Sequence, residues 1–320
     1  MASASAAARL IALDWGTTSL RAYLLADGGA VLERRAEPLG ILHVPERDFG
    51  AAFDRVTTEW RGRSPRLPAI ACGMIGSAQG WLEAPYASVP ADLDSVARAL
   101  VTVPGAGLLI VPGLAQRGNA ADVMRGEETQ LFGAMDRSAA LSSGGVAILP
   151  GTHSKWVRVV GSRIEGFTTY ITGEMFAVLS RHSILGRLAE PGGANAPPGA
   201  AFRRGVRHAR DGARGLASLV FSARSSVLVG DLAAADSLEY LSGVLIGDEV
   251  RSGLASDERP RVLIGAPALC HRYAVALEEL GVPGVAVLGD TAPAGLWQIA
   301  CRALPELQRA DGASRKSVSA

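Results

Sequence analysis

The residues best suited to chemistry lie in two short turns built alike. The first reads Asp14-Trp-Gly-Thr-Thr-Ser19, the second Gly151-Thr-His-Ser154. In each, glycine lets the backbone come close to an anion, the turn's N–H groups form a concavity, and hydroxyls add donors. Such a pair suits the phosphates of ATP, with Gly16, Thr17, Thr18 and Ser19 in one turn and Gly151, Thr152 and His153 in the other. Asp14 closes an apolar run and is placed to hold Mg²⁺ through water, because that ion gives up its shell reluctantly. One Asp-x-Gly-Thr turn alone reads as an ordinary hairpin turn. Its repetition about one domain length later carries the phosphate reading. Neither a GxxxxGK loop nor a GxGxxG fingerprint occurs, so the commoner phosphate loops are excluded.

The elements that position these turns follow from patterning. Residues 9–14 read as a buried strand, 20–26 and 30–36 as the strands that return from it, and the meander is closed by Asp27-Gly28-Gly29. Helix and strand then alternate: a helix over 49–61, a strand over 68–72, a helix over 92–100, a strand over 107–111. A segment at 122–135 becomes helical in its later part, with Leu131, Phe132 and Met135 on one face. The opening theme returns with strands at 145–150, 155–160 and 164–170. Helices follow at 172–185 and 237–250, separated by a loop rich in Pro, Gly and Ala at 186–200. A strand at 261–265 runs into a helix, a strand at 285–288 follows, and a last helix passes through Trp297. Alternation of this kind predicts an α/β architecture of two domains, 1–143 and 144–320, with the nucleotide and substrate cleft between them.

Composition limits the alternatives. The 320 residues are 48% hydrophobic and 20% charged, which suits a globular chain of two domains. Thirty-two basic against 31 acidic residues leave a net charge of +1, so neither nucleic acid nor an anionic membrane is an expected partner. Three separated cysteines argue against a disulfide framework or zinc site and for a reducing, cytoplasmic setting. The longest apolar runs are strand-length, and the ends at 1–8 and beyond 309 read as frayed tails.

Leu13-Asp-Trp-Gly-Thr-Thr-Ser19 resembles the first phosphate motif of the actin/hexokinase/Hsp70-like ATPases, and Leu149-Pro-Gly-Thr-His-Ser-Lys-Trp156 the second. Arg261-Val-Leu-Ile-Gly-Ala-Pro-Ala-Leu269 stands where those proteins have their adenosine motif, with Ala266 replacing the usual second glycine. Within that group the chain resembles the 2-dehydro-3-deoxygalactonokinases over nearly its whole length. The strings that carry this are Gly73-Met-Ile-Gly-Ser77, Gly80-Trp81, Ala84-Pro-Tyr86, Val123-Met-Arg-Gly-Glu-Glu-Thr-Gln130, Thr172-Gly-Glu174 and Gly289-Asp-Thr-Ala292.

The resemblance implies two ribonuclease-H-like domains and transfer of the ATP γ-phosphate to the 6-hydroxyl of 2-dehydro-3-deoxy-D-galactonate, in D-galactonate catabolism. It places the base at Glu127 or Glu128, with Glu127 preferred for its position beside Gly126; a carboxylate there could equally be an acid favoured by a helix N-terminus. Arg125 is read as a bidentate clamp for the substrate carboxylate or as a surface ion pair. Lys155 reaches phosphate or faces water from a strand edge. Gly73, Met74, Ser77, Trp81 and Tyr86 form the sugar loop, although aromatics are more often core than ligand wall. Gly265, Ala266 and Leu269 contact the nucleoside, and Asp290 and Glu174 orient Mg²⁺ or cap helices. The oligomeric state stays open, a homodimer included. The rival readings are a kinase for another sugar acid or polyol, a non-catalytic nucleotide sensor, and a phosphatase on the same superfold.

Overall fold

The computed structural model describes residues 7–118, 120–189, 197–255 and 259–307. Residues 1–6 of the expected N-terminal tail, the tail beyond 309 and part of the loop at 186–200 lie outside the described residues. The chain divides into two compact units, Met1–Gly144 with Val159–Gly166 and Asp290–Ala320, and Gly145–Arg158 with Phe167–Gly289.

The strands of the first unit are β1 (Leu10–Trp15), β2 (Leu20–Leu25), β3 (Val31–Glu37), β4 (Ala69–Cys72), β5 (Tyr86–Ser88), β6 (Val101–Val103), β7 (Leu108–Ile110), β8 (Gly113–Gln116) and β9 (Asp122–Met124). Six form a sheet in the order β3-β2-β1-β4-β7-β6, and β5-β8-β9 form a small one. β1 runs antiparallel to β2 and parallel to β4. Because side chains alternate along a strand, Ile11, Leu13 and Trp15 share one face. They join Phe49, Phe53, Val56 and Trp60 of the helix Phe49–Arg63 in one core. Each such apolar side chain contributes about 1.5–3 kcal/mol on full burial. Asp48 caps that helix by accepting the Ala51 N–H at 2.9 Å.

The second unit is built on β10 (Gly144–Leu149), β11 (Ser154–Val160), β12 (Arg163–Tyr170), β13 (Pro260–Ile264) and β14 (Ala286–Leu288). Their order, β12-β11-β10-β13-β14, repeats β3-β2-β1-β4 strand for strand, and β10 and β13 are parallel as β1 and β4 are. The helices Ala200–Asp211, Ser237–Gly253 and Pro267–Glu279 pack with this sheet around Phe202, Val250, Tyr273 and Leu277.

The C-terminal boundary differs from the expected run to 320. The helix Ala292–Ala303 packs on β1, β2 and β4 and on the helix Glu127–Arg137, within the first unit. The cause is a reciprocal close approach. A Cβ on Gly295 would collide with the Thr129 carbonyl, and one on Gly133 with the Thr291 carbonyl, so the two helices touch backbone to backbone. Trp297, on the same helix, is buried and packs against Gly29. The tip of the β11–β12 hairpin also counts with the first unit, because Ile164 and Ala91 exchange both backbone hydrogen bonds, at 2.8 and 2.9 Å. Among the described residues no helix is long and apolar enough to cross a membrane.

Candidate active site

In the first unit, Asp14 is the last residue but one of β1 and Arg21 the second of β2, and the hairpin register sets them directly opposite one another. Opposed residues share a face, and Arg21 donates to Asp14 Oδ2. Asp290 joins from beyond β14: it accepts from Tyr23 Oη at 2.5 Å and from the Ala292 N–H at 3.2 Å, and stands 3.6 Å from Arg21. Burial pushes the Asp14 carboxyl above its ordinary value. Arg21 opposes that shift, while the charges of Asp290 and Glu127 add to it.

Two glycines bring the helix Glu127–Arg137 to this point. Gly73, at φ +90°, follows β4 where a Cβ would stand 2.8 Å from the Trp15 carbonyl oxygen. Gly126, at φ +109°, has a Cβ position 3.2 Å from the Gly73 Cα. Only glycine tolerates both the conformation and the contact. The helix that follows starts with the two glutamates. Glu127 is partly exposed and accepts the Arg125 N–H at 3.0 Å. Glu128 is fully buried, accepting the Gly126 N–H at 2.7 Å and the Thr129 hydroxyl at 2.9 Å. Burial first, and the neighbouring Glu127 charge second, push Glu128 up to about 7. Both carboxylates thus accept N–H groups of the residues that lead into the helix, but only Glu127 is partly exposed.

Asp14 fits a water-mediated divalent cation. Arg21 takes its Oδ2, whereas Oδ1 turns toward Gly73, 3.5 Å from where a Cβ would sit. A carboxylate crowded by two further acidic groups gains from a cation. Asp290 has both oxygens engaged and serves to brace Arg21 and Tyr23. Among the described residues no group of three or more His, Cys, Asp or Glu forms an all-protein metal cage.

The remaining first-unit residues sort by burial. Thr17, Thr18 and Ser19 are exposed in a turn closed by the Gly16 N–H donating to the Ser19 carbonyl at 2.9 Å. Trp81 stands edge-on to Trp15 and tilted on Phe53, with centroids 6.4 and 5.9 Å away, so it is largely core. Ser77 donates its hydroxyl to the Met74 carbonyl at 2.8 Å, inside its own loop. Tyr86 is exposed, and the Arg125 guanidinium lies 4.3 Å above its ring. Arg125 donates through Nη2 to the Ala84 carbonyl at 2.9 Å, and its buried Nε and Nη1 have no hydrogen-bond acceptor.

In the second unit, Gly151, Thr152 and His153 turn between β10 and β11. The helix Thr172–His182 begins directly on that turn, since a Cβ on Gly173 would strike the Gly151 carbonyl and crowd the Thr152 Cα. The Glu174 N–H donates to the Thr152 carbonyl at 3.0 Å, and its carboxylate lies 2.5 Å from His153 Nε2. Lys155 is buried rather than at a wet strand edge, and its Nζ donates to the His153 carbonyl at 3.1 Å, which braces the turn.

A cavity of about 620 Å³ opens beside the turn. Gly151, Thr152, Thr172 and Gly173 bound it on one side, and Phe176, Leu245, Ile246 and Leu269 supply apolar wall. Leu269 lines this cavity, whereas Gly265 and Ala266 form the turn before its helix. Arg272 also lines the cavity, locked by Glu239 at 2.5 and 3.1 Å and lying over Phe202 at 5.3 Å. Sequence reasoning missed Arg21, Phe176 and Arg272. Arg21 alone had a local signal, the hairpin register; the others are brought in by helices distant along the chain.

Comparison with known proteins gives the family. A family model described as 2-keto-3-deoxy-galactonokinase matches residues 14–299. A probable 2-dehydro-3-deoxygalactonokinase of Rhizobium meliloti is 39% identical over 299 residues, 92% of this chain and 96% of that protein. The 2-dehydro-3-deoxygalactonokinase of Escherichia coli is 38% identical over 297 residues, 92% of this chain and 98% of its own length. A crystal structure from Sinorhizobium meliloti, described as a candidate 2-dehydro-3-deoxygalactonokinase, superposes with a TM-score of 0.85 at 37% identity, covering 92% of this chain and 99% of that one.

Proposed function

The chain belongs to the 2-keto-3-deoxy-galactonokinase family, and from that membership we infer that it phosphorylates 2-dehydro-3-deoxy-D-galactonate with ATP, at the 6-hydroxyl. The observation that carries the nucleotide half of this reading is the cavity that opens on the Gly151–Thr152 turn. Its volume and largely apolar wall suit a nucleoside, with the turn's N–H groups available to phosphate.

Phosphoryl transfer is mainly positioning and electrostatics, so few side chains need form or break bonds. Each unit offers phosphate donors of its own, Thr17, Thr18 and Ser19 in the first and Thr152 in the second. Asp14 would hold Mg²⁺ through water, and the bound ion would supply positive charge to offset that of the phosphates. Arg21 fixes the Asp14 carboxylate, and Asp290 fixes Arg21. Glu127 takes the proton of the attacking hydroxyl, while the buried Glu128 supports the helix start.

Arg125 is assigned the carboxylate of the sugar acid. Buried N–H groups without acceptors cost about 1–3 kcal/mol each, more when charged, and an incoming carboxylate supplies the missing oxygens. Arg125→Lys is expected to raise KM for the sugar acid by about 10–100-fold, the equivalent of one charge-assisted hydrogen bond, with KM for ATP unchanged. An unchanged sugar-acid KM would make Arg125 a brace for the loop through Ala84 and Tyr86.

The assignment as a whole is tested by ADP release with Mg-ATP, comparing 2-dehydro-3-deoxygalactonate, its gluconate epimer and glycerol. Turnover with the galactonate derivative well above the other two is expected. Equal turnover with all three, or none with protein that binds ATP, sinks it.

A further inference from the structure

Glu249 lies on the helix Ser237–Gly253 and is 2% exposed, yet none of the steps above uses it. Its carboxylate is a meeting point of neutral donors from three elements. Ser154 Oγ donates to Oε1 at 2.7 Å and Trp156 Nε1 to the same oxygen at 2.9 Å, both from β11. Tyr273 Oη, on the helix Pro267–Glu279, donates to Oε2 at 2.6 Å. The Thr172 hydroxyl, at the start of the helix Thr172–His182, is a fourth hydrogen-bond partner. Burial raises the Glu249 carboxyl, and all four of these hydrogen bonds oppose that shift by favouring the charged form.

What these donors belong to gives the arrangement its meaning. Thr172 and Tyr273 line the nucleoside cavity. Ser154 is the first residue of β11, where the phosphate turn ends, and it is fully buried, so its hydroxyl is committed to Glu249 rather than to a ligand. A single carboxylate therefore ties the end of the phosphate turn to two walls of the cavity. We propose that Glu249 is a positioning residue that holds the phosphate turn in register with the nucleoside cavity, so that one nucleotide engages both. This inference rests on the nucleotide-site reading given above.

A ligand that spans two subsites gains affinity only while their separation matches its own. A nucleoside without phosphates is indifferent to that separation. Loss of register must therefore weaken ATP much more than adenosine, a signature that general destabilisation does not produce. Ser154→Ala removes the donor on the turn side without altering the cavity lining, and Glu249→Gln leaves one acceptor oxygen where two served.

The experiment is calorimetric titration of the full chain and both variants with Mg-ATP and, separately, with adenosine. In each variant the ratio of the adenosine Kd to the ATP Kd is expected to fall by about tenfold or more, with the sugar-acid KM unchanged. If Glu249→Gln does not fold, Ser154→Ala decides alone. A ratio unchanged in a folded variant overturns the proposal and leaves the nucleotide site standing. Wild-type protein that binds neither ligand overturns the nucleotide-site reading and the proposal with it.

Discussion

Glu127→Gln is expected to lower kcat by about 10²–10⁴-fold, the range found when a positioned general base is removed, while ATP affinity and thermal stability stay near wild type. The side chain is partly exposed at the first residue of its helix and accepts the Arg125 N–H. A glutamine amide oxygen can keep accepting that N–H. What the amide cannot do is accept the proton of the acceptor hydroxyl. Initial rates of ADP release, with ATP binding measured on the same preparation, separate the two effects. A kcat within a few-fold of wild type would reduce Glu127 to a helix-capping acid. Glu128→Gln is the control: Glu128 is sealed from solvent, and its replacement should leave kcat within a few-fold.

The contrast between these neighbours shows what sequence could and could not supply. Glu128 stands three, four and seven residues before Leu131, Phe132 and Met135, in phase with the apolar stripe of its helix. That spacing already places it on the inner face and turns Glu127 by about 100° toward another side. The two meanders were equally legible, because each is a run of alternating residues punctuated by Gly and hydroxyls. Their matching strand orders are what that pattern dictates. The strands β5, β6, β8 and β9 have only three or four residues each and are too short to show a period. The return of the last helix to the first unit depends on Gly133 and Gly295 meeting across more than 160 positions, and no local pattern announces such a contact. The same holds for the cavity beside the Gly151–Thr152 turn, whose wall combines Phe176, Leu245 and Leu269 from three separate helices. Asp14 was readable as the end of a strand, but the Arg21–Asp290–Tyr23 brace around it needs the C-terminal segment in place.

Glu128 carries the second large effect, on stability rather than rate. In the folded chain its carboxyl sits at about 7, against an ordinary 4.5. Between those values the native state binds the proton and the unfolded chain has released it, so stability falls as pH rises. The contribution is complete below about pH 4.5 and is lost as pH passes through 7. At 1.36 kcal/mol per pH unit, the span corresponds to roughly 3 kcal/mol. Glu128→Gln should remove this slope. The amide resembles the protonated acid, with its oxygen accepting the Gly126 N–H and its NH₂ facing the Thr129 hydroxyl. The variant should therefore be the more stable protein at pH 8 and about equal to wild type at pH 4.5. Urea unfolding of both proteins at pH 4.5, 6, 7 and 8 tests this, because the other titrating groups cancel in the difference. A difference that does not change with pH would mean that Glu128 is ionised in the native state throughout. The same proton bears on the chemistry. Two adjacent carboxylates at one helix start repel each other, and burial decides which of them gives up its charge. Below about pH 7 the proton resting on Glu128 removes that repulsion from beside Glu127, the residue proposed as the base.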